Sequence, residues 1–466
     1  MLKKKYYIAL SFLLLAFLAV AQPRSFSQKP EVFIEEFNAY INSDNTKEGQ
    51  VIMKSFTTKW DSAKFVEPEQ RNIINVANAM LNNDLRIPSF VLFTETMLYA
   101  KDSIGTAKYI SWSKALMPAI TNGNKTFLTL LRASRNLFKD NILYLSDTKK
   151  WYSSRDNYRF IFDENRVQIA FRDIDLVCQA DVDQIVIYNT SGAYFLDTDE
   201  WEGEKGKVTW ERVGFGADNI YAEIQGSYKI QFDRAELVVD TVLFTNKDFL
   251  NNSLYGSFMD RASSADNIEK ERLQTSKFPQ FTSFIKDLEL GSYLDNTVKF
   301  RGGYTMNGAE IIANGSAENP SSVTIEYKGK RRVVAKSQYF SLKNGKILAQ
   351  ASEVTIYTDS GTIFHPKLSY NLNLENKVLV MSRGKNGMEQ APFFDDDHEV
   401  EIYVDQVVWK LDLPQIEFDM TGEESKAIIE SVDFYKELRY EKITRGMLKY
   451  HPLSKMRDYV IKHRKR

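Results

Sequence analysis

At 466 residues, with 43% hydrophobic and 26% charged side chains, the chain is too long for one typical domain and too apolar for wholesale disorder. A formal charge of −1 gives nucleic acid no electrostatic footing, and 22 Gly with 11 Pro exclude a collagen-like or linker-dominated chain. The single cysteine, Cys178, allows no internal disulfide, so cohesion must rest on buried area and hydrogen bonds.

Lys3, Lys4 and Lys5 precede an apolar run from Tyr6 to Ala21, which closes on the small-x-small triplet Ala19-Val20-Ala21. That order predicts a cleaved signal peptide over residues 1–21 and an exported protein. The run is short for a membrane span, an uncleaved anchor being the other reading. No cysteine stands at the cleavage point, which excludes lipoprotein processing. No later stretch reaches the length of a span, so the mature chain is expected to be water-soluble.

Between residues 29 and 147 the apolar positions recur at three and four, and four to six short antiparallel helices are predicted. Phe33, Phe37, Tyr40 and Ile41 share one face, and Ile73, Ile74, Ala77 and Met80 another. Pro68 and Pro88 mark helix starts. A last helix is expected from about Lys125 to Lys139, with Leu128, Leu131 and Leu137 inward and Arg132, Arg135 and Lys139 outward.

After Trp151 the pattern changes to alternation and turn signals. Asn344-Gly345 predicts a type I′ hairpin, because both residues accept positive φ. Asn307-Gly308 and Asn386-Gly387 are weaker turns of the same kind, and Glu375-Asn376-Lys377 separates two alternating runs. The segment Ile185–Phe195 aligns without gaps on Val354–Phe364, matching Tyr188 to Tyr357 and Ser191-Gly192 to Ser360-Gly361. Phe171 and Phe340, and Ala180 and Ala349, fall at matching distances upstream. Val404–Trp409 and Val239–Phe244 echo Val182–Ile187. Recurrent strand-turn-strand units predict hairpins that stack to cover apolar faces none can bury alone.

The strings Phe340–Ala349 and Tyr370–Leu379 resemble the open β-jellyroll repeats of the OstA-like lipopolysaccharide-transport proteins, over at most Gly302 to Met381. The chain also resembles large exported proteins of Gram-negative envelopes. These resemblances imply an envelope location and a scaffold or lipid-guiding surface.

The densest group of metal-ligating side chains is Asp395, Asp396, Asp397, His398 and Glu399; Asp395, Asp397 and His398 are the candidate ligands, although the order of a calcium loop is missing. A solvated acidic loop is the plainer reading. Ser111-Trp112-Ser113-Lys114 and Ser283-Phe284-Ile285-Lys286 match Ser-x-x-Lys without its partner motifs. Cys178 sits in an apolar run and reads as a buried thiol. His365, before Pro366, is expected at a strand end as a surface ring. Trp201, Trp210 and Tyr221 crowd the Gly203–Gly206 turn and are candidates for stacking on a glycan, core filling being the alternative.

From Thr421 the apolar positions Ile428, Ile429, Val432 and Tyr435 predict helix, and beyond Lys436 the basic residues dominate. That tail is expected either to touch anionic lipid or polymer, to be a solvated helix, or to open a further domain of a longer protein.

The expectation is an α+β multi-domain protein: signal peptide 1–21, helical bundle 29–147, repetitive antiparallel β-region 148–420 built as stacked hairpins, jellyroll or solenoid, and a short basic helical tail 421–466. The expected role is non-enzymatic, a β-scaffold or binding surface in the periplasm or at the cell surface, with other envelope proteins or a surface polymer as partners. A polysaccharide- or lipid-binding module and a glycan-active hydrolase are the alternatives, the latter because two catalytic carboxylates need no local motif. None of these calls for a cofactor.

Overall fold

The computed structural model describes residues 25–62, 64–163, 166–262, 276–294, 296–422, 426–432, 456 and 459–462. The leader and most of the basic tail lie outside them.

Six helices form the N-terminal stretch: α1 (Pro30–Asn42), α2 (Lys47–Asp61), α3 (Glu67–Asn82), α4 (Ile87–Ser103), α5 (Thr106–Thr121) and α6 (Asn124–Asp140). Pro68 and Pro88 stand in the first turns of α3 and α4, where a missing N–H breaks no helical hydrogen bond. Thr46 caps α2 by accepting from the Gly49 N–H. Both predicted apolar faces are buried. Phe26 packs edge-to-face on Phe33, Phe37, Tyr40 and Phe90, at centroid distances of 5.6, 5.5, 5.7 and 6.2 Å. On α6 the inward residues are Phe127, Leu130, Leu131, Leu137 and Phe138, whereas Leu128 is only half-buried.

The chain divides into two compact units. The first comprises Met1–Asp248, Asn252–Thr282 and Asn307–Ala309, so the helices share a unit with the early strands. Phe138 of α6 meets Phe160 at 5.8 Å. The strands are β1 (Ile142–Leu145), β2 (Lys150–Ser153), β3 (Tyr158–Asp163), β4 (Arg166–Ala180), β5 (Asp183–Phe195), β6 (Glu200–Thr209), β7 (Ile220–Ile224), β8 (Tyr228–Gln231), β9 (Glu236–Asn246) and β10 (Leu254–Arg261). Their pairings are antiparallel. β4 and β5 make a long hairpin whose outer edge changes partner: Arg166–Phe171 pair with β3 and Leu176–Gln179 with β2. The change falls where Asp173 takes φ 49°. Similarly, β6 pairs with β8 over Glu200–Gly203 and with β7 over Gly206–Thr209. Trp151 and Tyr194 stack on Phe232 at 4.9 and 5.0 Å in the core.

The chain leaves this unit within β11 (Gln280–Ser283). The second unit holds β12 (Leu288–Tyr293), most of β13 (Val298–Asn307), β14 (Glu310–Asn314), β15 (Ser321–Tyr327), β16 (Lys330–Ser337), β17 (Tyr339–Lys343), β18 (Lys346–Tyr357), β19 (Thr362–Asn373), β20 (Val378–Ser382), β21 (Phe393–Asp395), β22 (Val400–Tyr403), β23 (Gln406–Lys410), β24 (Glu417–Asp419) and β25 (Ile428–Ser431). Its long hairpin is β18–β19. β18 pairs with β17 over Lys346–Leu348 and with β16 over Glu353–Ile356, while β19 pairs with β21 and then β20. Pro366 lies between those halves of β19, where no ladder N–H is needed.

Asn344 and Gly345 take φ 51° and 68°, as a type I′ turn requires. Asn386-Gly387 corrects its expectation, since Gly387 opens a 3₁₀ turn instead of a hairpin. The helical reading of Ile428 and Ile429 is also corrected. Ile428–Ser431 pairs antiparallel with β22, and two adjacent β-branched residues favour that extended state. Residues 459–462, further on, are helical.

Tyr188 and Tyr357 both lie in strands with half-buried side chains. Their aligned continuations differ. β5 runs through Ser191-Gly192 as a bulge, with Asn189 at φ 52°, because β6 continues to pair with it there. Ser360-Gly361 instead closes the turn between β18 and β19, where the Thr358 hydroxyl accepts from the Gly361 N–H at 2.8 Å. What recurs is therefore the long hairpin with shared edges, and not the ungapped conformational copy expected from the sequence.

Candidate functional site

Two of the three aromatic candidates belong to the first unit's core. Trp201 and Trp210 are fully buried. Trp201 Nε1 donates to the Tyr228 hydroxyl at 3.3 Å, and Trp210 packs on Phe244 and Phe258 at 5.0 and 5.8 Å. Tyr221 is half-buried beneath the Lys207 ammonium, 4.3 Å away. Neither tryptophan offers a face to a glycan, which corrects that assignment; Trp201 alternates inward with Gly203 on β6, and Trp210 is covered by Phe244 and Phe258.

The acidic run is likewise occupied. Asp395 accepts from the backbone N–H groups of Asp397 and His398 and from His398 Nδ1, at 3.0, 3.3 and 3.0 Å. Asp396 accepts from the Thr362 hydroxyl at 2.8 Å, and Asp397 from the Ser360 hydroxyl. These carboxylates latch the loop after β21 onto the Ser-Gly turn. Among the described residues no three His, Cys, Asp or Glu converge on a metal position. Asp395, Asp397 and His398 thus form an Asx-type loop whose carboxylates accept from local backbone, hydroxyl and imidazole donors.

Cys178 is buried, and desolvation pushes its thiol up to about 12. The Ser283 hydroxyl donates to the Ile285 carbonyl at 2.7 Å and accepts from the Tyr304 N–H at 3.0 Å. Ser111 donates to the Lys108 carbonyl at 2.8 Å. His365 corrects its expectation as a surface ring, being fully buried. Its Nδ1 accepts from the Lys367 N–H at 3.0 Å, which places the proton on Nε2 facing the Ala391 carbonyl at 2.9 Å. Burial lowers its pKa to about 4.

In the first unit a cavity of about 360 Å³ lies against Arg212, Asp183, Asp260, Glu211 and Tyr188. Arg212 Nη1 donates to Asp183 and to the Gln184 carbonyl at 3.1 and 3.0 Å, and Nη2 to Asp260. Burial holds the Asp260 carboxyl up at about 6 despite the guanidinium. Two carboxylates answering one cation tie the start of β5 to the end of β10.

A groove of about 990 Å³ lies in the second unit. It opens where the edge of β18 passes from β17 to β16, so that Ser337-Gln338-Tyr339 must step from one strand to the next. That step is pinned: the Ser337 hydroxyl donates to the Ala351 carbonyl at 2.8 Å, and the Gly315 N–H to the Gln338 carbonyl at 2.8 Å. Ile312, Ser341 and Leu348 lie in one cross-strand row over β14, β17 and β18. Tyr339 and Gln350 stand two residues from that row, hence on the same face. Tyr339 is 63% exposed and Leu348 37%. At the rim Lys336 pairs with Glu353 at 3.3 Å, and Lys367 with Glu389 at 2.9 Å.

No sequence motif pointed to this groove. The available signal was Tyr339-Phe340, two adjacent aromatics on one strand, of which alternation must turn one outward; Phe340 is the buried member. No protein-family model, curated protein or solved structure matches this chain.

Proposed function

We propose that this chain is an exported envelope protein, acting without chemistry of its own as a β-scaffold that binds in the groove of its second unit. The observation that carries the reading is the exposed Tyr339–Leu348 face, held on paired strands that need no rearrangement to present it. The signal-peptide pattern and the OstA-like resemblance support the envelope setting. Ser111 and Ser283, the first serines of the two Ser-x-x-Lys matches, each donate to a backbone carbonyl, which supports a non-enzymatic role. Envelope proteins or a surface polymer are the natural occupants.

Expression of all 466 residues in a Gram-negative host tests the setting. The product is expected in the osmotic-shock or outer-membrane fraction, with its mature N-terminus at Gln22 by mass spectrometry. Cytosolic protein that retains residues 1–21 overturns it.

A further inference from the structure

We infer that the groove between β14, β17 and β18 takes a neutral oligosaccharide stacked on Tyr339; the inference deepens the groove reading and rests on it. A ligand for this site must match three properties.

The first is the ring. Tyr339 is 63% exposed, and among the described residues no aromatic ring or cation packs on it. Its backbone is nevertheless fixed, since the N–H bonds the Ser337 hydroxyl at 3.3 Å and the residue pairs with Asn314 across β14. A fixed tyrosine with an apolar face and a wet hydroxyl suits the C–H face of a pyranose, whose hydroxyls stay solvated.

The second is charge. Lys336 and Lys367 could recruit an anion, but each is already matched to a carboxylate, Glu353 at 3.3 Å and Glu389 at 2.9 Å. Glu310 adds a further carboxylate to the lining. A phosphate or acidic headgroup therefore meets no surplus of positive charge, and desolvating either pair to receive it is costly.

The third is polarity. An acyl chain requires an enclosed apolar wall, yet this groove is open and alternates Ile312 and Leu348 with Ser341, Gln338 and Gln350. Amides and hydroxyls donate and accept at once, as sugar hydroxyls demand. A volume of about 990 Å³ lies near the top of the range for small-ligand sites, about 300–1,000 Å³, so several linked sugars are expected instead of one.

The test is calorimetric titration of the purified mature chain, residues 22–466, with cello-, xylo-, malto- and chito-hexaose, and separately with phosphatidylglycerol vesicles. At least one neutral hexaose is expected to bind. Tyr339→Ala should weaken that binding at least tenfold and Tyr339→Phe less than threefold, with unchanged melting temperatures for both. Failure of all four hexaoses overturns the inference, as does binding undiminished in Tyr339→Ala. Vesicle binding that is lost in Tyr339→Ala, without glycan binding, overturns the glycan while leaving the groove as the binding surface. Misplaced protein in the fractionation experiment bears on the envelope setting alone.

Discussion

Arg212 and Asp260 form an ion pair almost sealed from water, and the same guanidinium reaches Asp183 at 3.1 Å. Breaking a buried pair from one side leaves uncompensated charge, which is far more harmful than never having built the pair. Arg212→Met keeps the length of the side chain and leaves both carboxylates without their cation. It should destabilise the first unit by about 3–5 kcal/mol, read from urea unfolding at pH 7. Wild-type stability in that variant would show the network to be ornamental.

The same site sets a pH dependence. The folded pKa of Asp260, about 6, lies above its ordinary 3.8, so the folded state holds the proton more tightly. Its contribution is complete below about pH 4 and disappears as pH rises through about 6. Asp260→Asn removes the titration. The stability difference between wild type and Asp260→Asn should change across that window and be flat above pH 7.

His365 behaves in the opposite sense. Its folded pKa of about 4 lies below the ordinary 6.5, so the unfolded chain takes up a proton first as the solution is acidified. The stability it contributes is complete above pH 6.5 and is lost as pH falls through about 4. His365→Gln should flatten this dependence, again by urea unfolding over pH 4–7. An unchanged pH profile in the variant would reject burial of the neutral ring.

Gly192 sits where β5 bulges against β6. A Cβ there would lie 2.3 Å from the Glu202 carbonyl oxygen and 2.8 Å from the Trp201 ring. Backbone has to move, so Gly192→Ala should cost about 1–3 kcal/mol. Gly226→Ala, with nothing within 4 Å, should stay within about 0.5 kcal/mol. Equal melting temperatures for the two variants would contradict the close approach.

Cys178 is expected to resist a water-soluble disulfide reagent until the chain unfolds, because burial pushes its thiol up to about 12 and closes access. Rapid labelling of native protein would reveal an opening of the β2–β4–β5 sheet.

Much of the architecture was legible. The helical front showed in Phe33, Phe37, Tyr40 and Ile41 because a one-sided helix must repeat its apolar residues every three or four positions. The Asn344-Gly345 hairpin showed because few residue pairs accept two positive φ angles. The repeat was legible only as texture. Tyr188 and Tyr357 share a strand state, but Ser191-Gly192 and Ser360-Gly361 do not, because a neighbouring strand extends one segment while the Thr358 hydroxyl closes the other. The candidate site was not legible. Trp201 was a better-looking glycan platform than Tyr339, and only burial distinguishes them.

Sequence alone determined the helical front, the alternating strands and the Asn344-Gly345 hairpin, since those depend on local periodicity and on the φ angles a residue tolerates; it did not determine the state of Ile428-Ile429 or of Asn386-Gly387. Tertiary structure alone decided which aromatic faces water, which carboxylates share Arg212, and where the edge of β18 changes partner to open a groove. Such features arise from residues far apart in the chain, and pairing between distant strands leaves no periodic trace in either of them.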